Sequence, residues 1–167
     1  DARGTSTKAA DSGAADARSS DARARSATRR GGALSSESTL ADRRPGARLL
    51  WPVHGVLISR FGDRHGEHHE GIDLAAPEGT HIVAAAPGTV VFVGEQRGYG
   101  QLVLVAHGGD LVTVYAHNEE NLVTVGQKVD RGQALARVGR TGNASGPHLH
   151  FEVRADAHAV DPLPYLR

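Results

Sequence analysis

The chain has 167 residues, with 39% hydrophobic residues and a formal net charge of zero, so nothing global points to nucleic acid or an anionic membrane as partner. Cysteine is absent, which excludes disulfides and thiolate metal sites, and no apolar run approaches the ~20 residues that a membrane span requires. Glycine is abundant at 21 residues and aromatics are scarce at 4%, a balance that favours turns and short strands over long helices.

The charge balance conceals a division. Residues 1–48 carry ten Lys/Arg against six Asp/Glu and only Leu34 and Leu40 as large apolar residues. Such a stretch buries too little surface to offset backbone ordering, about 1–2 kcal/mol per residue. It reads as a disordered, mildly basic tether; a frayed helix around Ala14–Ala27 is the alternative, because Ala and Arg favour helix. The chain begins at Asp1 rather than Met, the kind of start that a removed export signal leaves.

From Leu49-Leu50-Trp51-Pro52 onward the composition changes, and residues 49–167 read as one folded domain. Short β-branched runs recur at Val56–Ser59, His81–Ala84, Thr89–Val93, Leu102–Ala106, Leu111–Tyr115, Leu122–Val125, Ala134–Val138 and His148–Arg154. Glycine-rich turns separate them, among them Pro87-Gly88, Gly98-Tyr99-Gly100 and Gly142-Asn143. Closely spaced short strands predict an all-β sandwich or barrel. Ala86–Val91 and Val125–Gln133 resemble the paired half-motifs of barrel-sandwich hybrid folds, which implies two small antiparallel sheets enclosing a flattened core. That architecture also serves biotinyl and lipoyl carriers, but the only Lys of this region, Lys128, lacks the carrier context.

Ten histidines are present, and their placement matters more than their number. In a strand, His148 and His150 project to one face, while Leu149, Phe151 and Val153 face the core. Alone, such a pair is more often a surface or hydrogen-bonded structural feature. His69 and Asp73 stand four apart around Gly71, where a loop entering a strand can bring them onto one ion. Zinc accepts imidazole nitrogen and carboxylate oxygen, and two His with one Asp leave a fourth position for water.

Taken together, His69-x-Gly71-Ile72-Asp73, then Tyr115-Ala116-His117, then Gly146-Pro147-His148-Leu149-His150-Phe151-Glu152 resemble the lysostaphin and LytM-type zinc metallopeptidases, the M23 peptidases. The resemblance runs from about Trp51 to Leu166. It implies one zinc ion held by His69, Asp73 and His150, with His117 and His148 as the non-ligand catalytic histidines. The implied function is hydrolysis of peptide cross-links in peptidoglycan by an exported protein of the cell envelope, periplasmic or extracellular.

Arg97-Gly98-Tyr99-Gly100, Asn118 and Asp161–Leu166 resemble instead the murein hydrolase activators, which share the fold and switch on a separate amidase. Asn118 replaces the Leu usual in the enzymes. The alternative implied is a non-enzymatic activator, with a cell-wall amidase or a divisome component as partner. His54, His65, His68, His81, His107 and His158 match no ligand position and read as structural or solvated. Tyr115 shares the face of His117 in a regular strand and is expected to pack in the core. Glu152 shares the face of His148 and His150, as an outer support of the metal site or an ion-pair partner.

Overall fold

The computed structural model describes residues 48–167; the tether and its alternative helix fall outside the described residues. The described part is almost entirely β, and its only helix is a single 3₁₀ turn at Leu163–Tyr165. No helix among the described residues is long and apolar enough to cross a membrane.

In chain order the strands are β1 (Val56–Ser59), β2 (Gly62–Arg64), β3 (Glu67–His69), β4 (Ile72–Ala75), β5 (His81–Val83) and β6 (Gly88–Gln96). They continue with β7 (Gly100–Ala106), β8 (Leu111–Asn121), β9 (Lys128–Val129), β10 (Ala134–Val138), β11 (His148–Ala155) and β12 (His158–Val160). β2 and β3 form a separate hairpin. The rest form one antiparallel sheet in the order β1-β4-β11-β8-β7-β6-β9, with β12 beside β11 and β10 bridging β5 and β8.

The all-β expectation stands, with one difference in how the layers connect. β8 passes through both: Leu111–Ala116 pair with β11, whereas Asn118–Asn121 pair with β10. The β5–β10 limb places Ile82, Leu135, Ala136 and Val138 in the same buried cluster as Ile72, Leu74, Tyr115, Leu149, Phe151 and Val153. The two related segments are direct partners, since Gly88 and Thr89 of β6 pair with Val129 and Lys128 of β9.

The strand expected at Leu122–Val125 does not form. β8 runs on to Asn121, and the next residues cross toward β9 through a turn at Gly126, whose φ is +89°. Their backbone groups bond singly, Leu122 N–H to the Leu135 carbonyl and Gly126 N–H to the Val90 carbonyl. β4 follows directly on the polar loop before it, and β2, β3, β9 and β12 are two or three residues long, too short for a period-2 pattern to emerge.

The ends of the described chain fasten to each other. Leu49 is fully buried, donates its N–H to the Tyr165 carbonyl at 2.7 Å and accepts the Arg167 N–H at 2.9 Å. Leu49→Ala is expected to lower stability by about 2–5 kcal/mol through lost burial and a residual cavity. Urea unfolding measures this, and a loss below about 1 kcal/mol would remove Leu49 from the core.

Candidate metal centre

β11 alternates as its sequence requires: Leu149, Phe151 and Val153 enter the core, and His148, His150 and Glu152 share the other face. The register fixes their neighbours. His150 pairs with Asp73 of β4 and Ala116 of β8, and Asp73 pairs with Ser59 of β1. His69 ends β3 and reaches the same point from the hairpin.

The result is a triangle. His69 Nε2 lies 3.2 Å from Asp73 Oδ1 and 3.2 Å from His150 Nδ1, and His150 Nδ1 lies 2.9 Å from Asp73 Oδ1. Among the described residues this is the only group of three or more such side chains close enough to share an ion.

The protons of these rings are placed by their outer partners. His69 Nδ1 faces the Arg60 carbonyl at 2.8 Å, and a carbonyl only accepts, so Nδ1 carries the hydrogen and Nε2 points inward with a lone pair. His150 Nε2 donates to Glu152 Oε1 at 2.9 Å, which leaves its Nδ1 as the inward acceptor. His148 Nδ1 donates to the Gly146 carbonyl at 2.8 Å, and its Nε2 stands 3.7 Å from Asp73 Oδ1. His117 Nδ1 donates to the Thr141 carbonyl at 2.7 Å, and its ring lies 4.7 Å from that of His148.

Three electron-pair donors at van der Waals contact repel unless a cation lies among them. Ligands about 2.0–2.1 Å from a common tetrahedral centre stand about 3.3 Å apart, close to the sides of this triangle. The donor set therefore fits zinc. Without a metal the site recruits a proton: burial disfavours the charged form of His150, yet the hydrogen bonds and charges of Asp73 and Glu152 outweigh it and raise the pKa to about 9. Burial also pushes the Asp73 carboxyl up, and His150 with His69 and His148 brings it below its ordinary value. His117 is held below the usual imidazole range, by burial first and then by the neighbouring His148 and His150.

His117 arrives by a device that alternation does not reveal. In a regular strand it would share the core face of Tyr115. Instead its φ is +64°, and the β7–β8 register slips around it, with Gln101 opposite Asn118 but Leu102 opposite Ala116. This bulge turns the ring into the cavity. Tyr115 stays in the core as expected, its hydroxyl accepting the Ala85 N–H at 2.9 Å and its pKa pushed up to about 12 by burial. The expectation that the two share a face is thus corrected.

Two interlocked turns hold the bulge. Asn143 N–H bonds the Gly98 carbonyl and His117 N–H bonds the Tyr99 carbonyl, both at 2.9 Å. Gly100 and Gly142 have positive φ and approach so closely that a Cβ on either would lie within 2.4 Å of the other turn. The Thr141 hydroxyl donates to the Asn118 carbonyl at 2.7 Å and accepts the Gln101 N–H at 3.0 Å. Asn118 itself is fully buried, with Nδ2 bonded to the Tyr115 carbonyl and to Asn121 Oδ1.

Sequence reasoning missed Tyr99 and Thr141 as parts of the site. The glycines flanking Tyr99 were the available signal. Tyr99 lines the open cavity of about 680 Å³ together with His69, Asp73, His117, His148 and His150. Its hydroxyl donates to Glu152 Oε1 at 2.9 Å. Glu152 is fully buried, bonds His150 and pairs with Arg154 Nε at 2.7 Å. Burial raises its pKa, and His150 and Arg154 more than reverse that, so it stays ionised. Of the remaining histidines, His107 is structural, donating from Nδ1 to the Pro87 carbonyl at 2.8 Å with Nε2 2.7 Å from Thr113 Oγ1. His68 pairs with Asp63 at 2.7 Å on the exposed hairpin.

The profile described as Peptidase family M23 matches residues 67–162, the span from β3 to the residue before the final turn. The chain belongs to peptidase family M23. The M23 chain is 48% identical over 118 residues to the Uncharacterized lipoprotein YgeR of Escherichia coli, covering 70% of this chain and 46% of that protein. It is 44% identical over 133 residues to the Murein hydrolase activator NlpD of Salmonella dublin, covering 79% of this chain and 34% of that one. It therefore spans less than half the length of either. Among solved structures, a zinc containing peptidase from Vibrio cholerae superposes with a TM-score of 0.65 at 34% identity, over 71% of this chain and 39% of that one.

Glu152→Gln is expected to weaken zinc affinity about 10–100-fold, because Gln no longer supplies the charged acceptor that fixes His150. Competition with a chromophoric chelator measures it; unchanged affinity would reduce Glu152 to an ion-pair role.

Proposed function

We propose that this M23 domain is a zinc-dependent endopeptidase that hydrolyses peptide cross-links of bacterial peptidoglycan in the cell envelope. The observation that supports the reading best is the inward aim of four imidazoles around Asp73, each fixed by an outer hydrogen bond. On this reading His69, Asp73 and His150 hold one zinc ion. When bound, zinc lowers the pKa of a coordinated water and polarises the scissile carbonyl.

The chain's own groups supply the rest. His117 and His148, whose outer nitrogens are already committed as donors, each keep Nε2 to accept a proton or, once protonated, to donate toward a developing oxyanion. Glu152 keeps His150 in the tautomer that presents Nδ1. The β2–β3 hairpin and the turns bearing Tyr99 and Asn143 wall the cavity. We propose further that residues 49–167 act without residues 1–48, so that a chain trimmed at Leu49 holds zinc as the full chain does.

A second reading is favoured by the likeness to NlpD and by Asn118. On it the domain binds and switches on a separate cell-wall amidase, and the groove serves as the docking surface. The named relatives support this reading at least as well as hydrolysis, whereas the site geometry supports hydrolysis.

Two experiments separate the possibilities. His69→Ala and Asp73→Ala are expected to lose zinc, while His117→Ala keeps zinc and loses at least 100-fold in cleavage of cross-linked peptidoglycan. Loss of metal in His117→Ala would refute the role assignment. The zinc-loaded chain is also expected to release cross-link fragments alone, and a chelator to stop it until zinc returns. Intact peptidoglycan, together with stimulation of an added amidase that survives His148→Ala, would establish the activator reading instead.

A further inference from the structure

We infer that Tyr99 is a positioning residue that ties His150 to His117, so that the ring of the metal triangle and the ring on the bulge hold their places as one unit. This rests on the reading of the cluster as a metal site with His117 beside it.

The sheet itself does not hold His117. The β8–β11 register ends with Ala116 opposite His150, and the β7–β8 register passes from Ala116 to Asn118. His117 therefore stands outside both ladders, and its N–H goes to the Tyr99 carbonyl at 2.9 Å. That bond is the first arm of the tie.

The second arm is the side chain. The Tyr99 hydroxyl donates to Glu152 Oε1 at 2.9 Å, the same oxygen that accepts the His150 Nε2–H at 2.9 Å. The Tyr99 ring also meets that of His150 edge-on, with centroids 5.7 Å apart. Neither arm moves freely, because the turn between them is pinned. Gly100 has a φ of +66° and lies so close to Thr141 that a Cβ would stand 2.4 Å from it. On the other side, the Asn143 N–H bonds the Gly98 carbonyl at 2.9 Å.

The hydroxyl carries this role, since a phenylalanine ring would line the groove equally well. Only the hydroxyl reaches the buried carboxylate, whose two oxygens are shared among His150, Tyr99 and Arg154 Nε. A buried carboxylate that loses one donor keeps its desolvation cost and shifts against the donors that remain. Arg154 Nη2 reaches the Tyr99 oxygen at 3.3 Å and Glu70 Oε2 at 3.4 Å. Both contacts are long, and the Glu70 pair is partly exposed, so the weight falls on the Tyr99–Glu152 bond.

The test reads amide hydrogen exchange by NMR in the full, metal-free chain, and then zinc affinity by competition with a chelator. Glu152→Gln is expected to speed exchange at the His117 N–H about fivefold, the disturbance crossing from β11 through Tyr99. Tyr99→Phe keeps the ring and the carbonyl, yet is expected to do the same, and the double variant no more than either. In zinc affinity, Tyr99→Phe is expected to cost about threefold alone and nothing beside Glu152→Gln, because it acts on the metal only through the carboxylate behind His150. The Val105 amide in β7 should keep its rate, whereas a general loss of stability would speed it as well. Unchanged His117 exchange in Tyr99→Phe, or effects that multiply in the double variant, would overturn the role. Tyr99→Phe alone decides the matter should Glu152→Gln fail to fold. A chain that shows the coupling but leaves peptidoglycan intact would refute hydrolysis and leave the role of Tyr99 standing.

Discussion

The strands of this domain converge on one point that demands positive charge. His69 Nε2, His150 Nδ1 and Asp73 Oδ1 meet at 2.9–3.2 Å, and each ring's only hydrogen is bonded outward. Donors so placed are unfavourable in isolation and favourable around a cation. A purely structural polar cluster would orient at least one N–H toward the carboxylate, so that the group satisfied itself. Here that satisfaction comes only with added positive charge, a proton on His150 or a metal. The raised His150 pKa and the zinc-compatible spacing are two expressions of the same electrostatic demand.

Holding such an arrangement requires rigid support, and the sheet provides it. His69, Asp73 and His150 sit on β3, β4 and β11, with their main chains fixed by antiparallel pairing. β8 adds His117 at the residue where it changes pairing partner from β11 to β10. A non-glycine residue at φ +64° carries local strain, and the interlocked Gly98–Gly100 and Thr141–Asn143 turns offset it through backbone hydrogen bonds. The turns therefore link two functions in one piece of structure: they fix His117 and present Tyr99 to the cavity. Buried Asn118 belongs to this same support, since Thr141 bonds its carbonyl. Its side chain is held behind His117 by the Tyr115 carbonyl and Asn121, while His69, Asp73 and His150 lie on other strands.

Much of this was legible in the sequence because the relevant signals are periodic or local. The alternation of His148-Leu149-His150-Phe151-Glu152-Val153 gave both faces of β11, and the Gly-separated runs gave most strands. What escaped has physical reasons. Strands of two or three residues carry no measurable period. Leu122–Val125 is apolar because the linker crosses the core margin, with Val123 buried and Val125 exposed. The His117 bulge is a register slip between strands far apart in sequence, so alternation assigned it to the wrong face. Tyr99 and Thr141 act through backbone carbonyls and a hydroxyl, for which residue type gives little warning.

The central claim is that the inward-facing donors form a zinc site. Anomalous scattering at the zinc edge from crystals of the purified chain grown with one equivalent of zinc tests it most directly. The account predicts a single peak per chain, enclosed by His69 Nε2, Asp73 Oδ1 and His150 Nδ1, with His117 and His148 outside the coordination sphere. No peak at the triangle, or a peak held by His117 or His148 in place of one of the three, would contradict it.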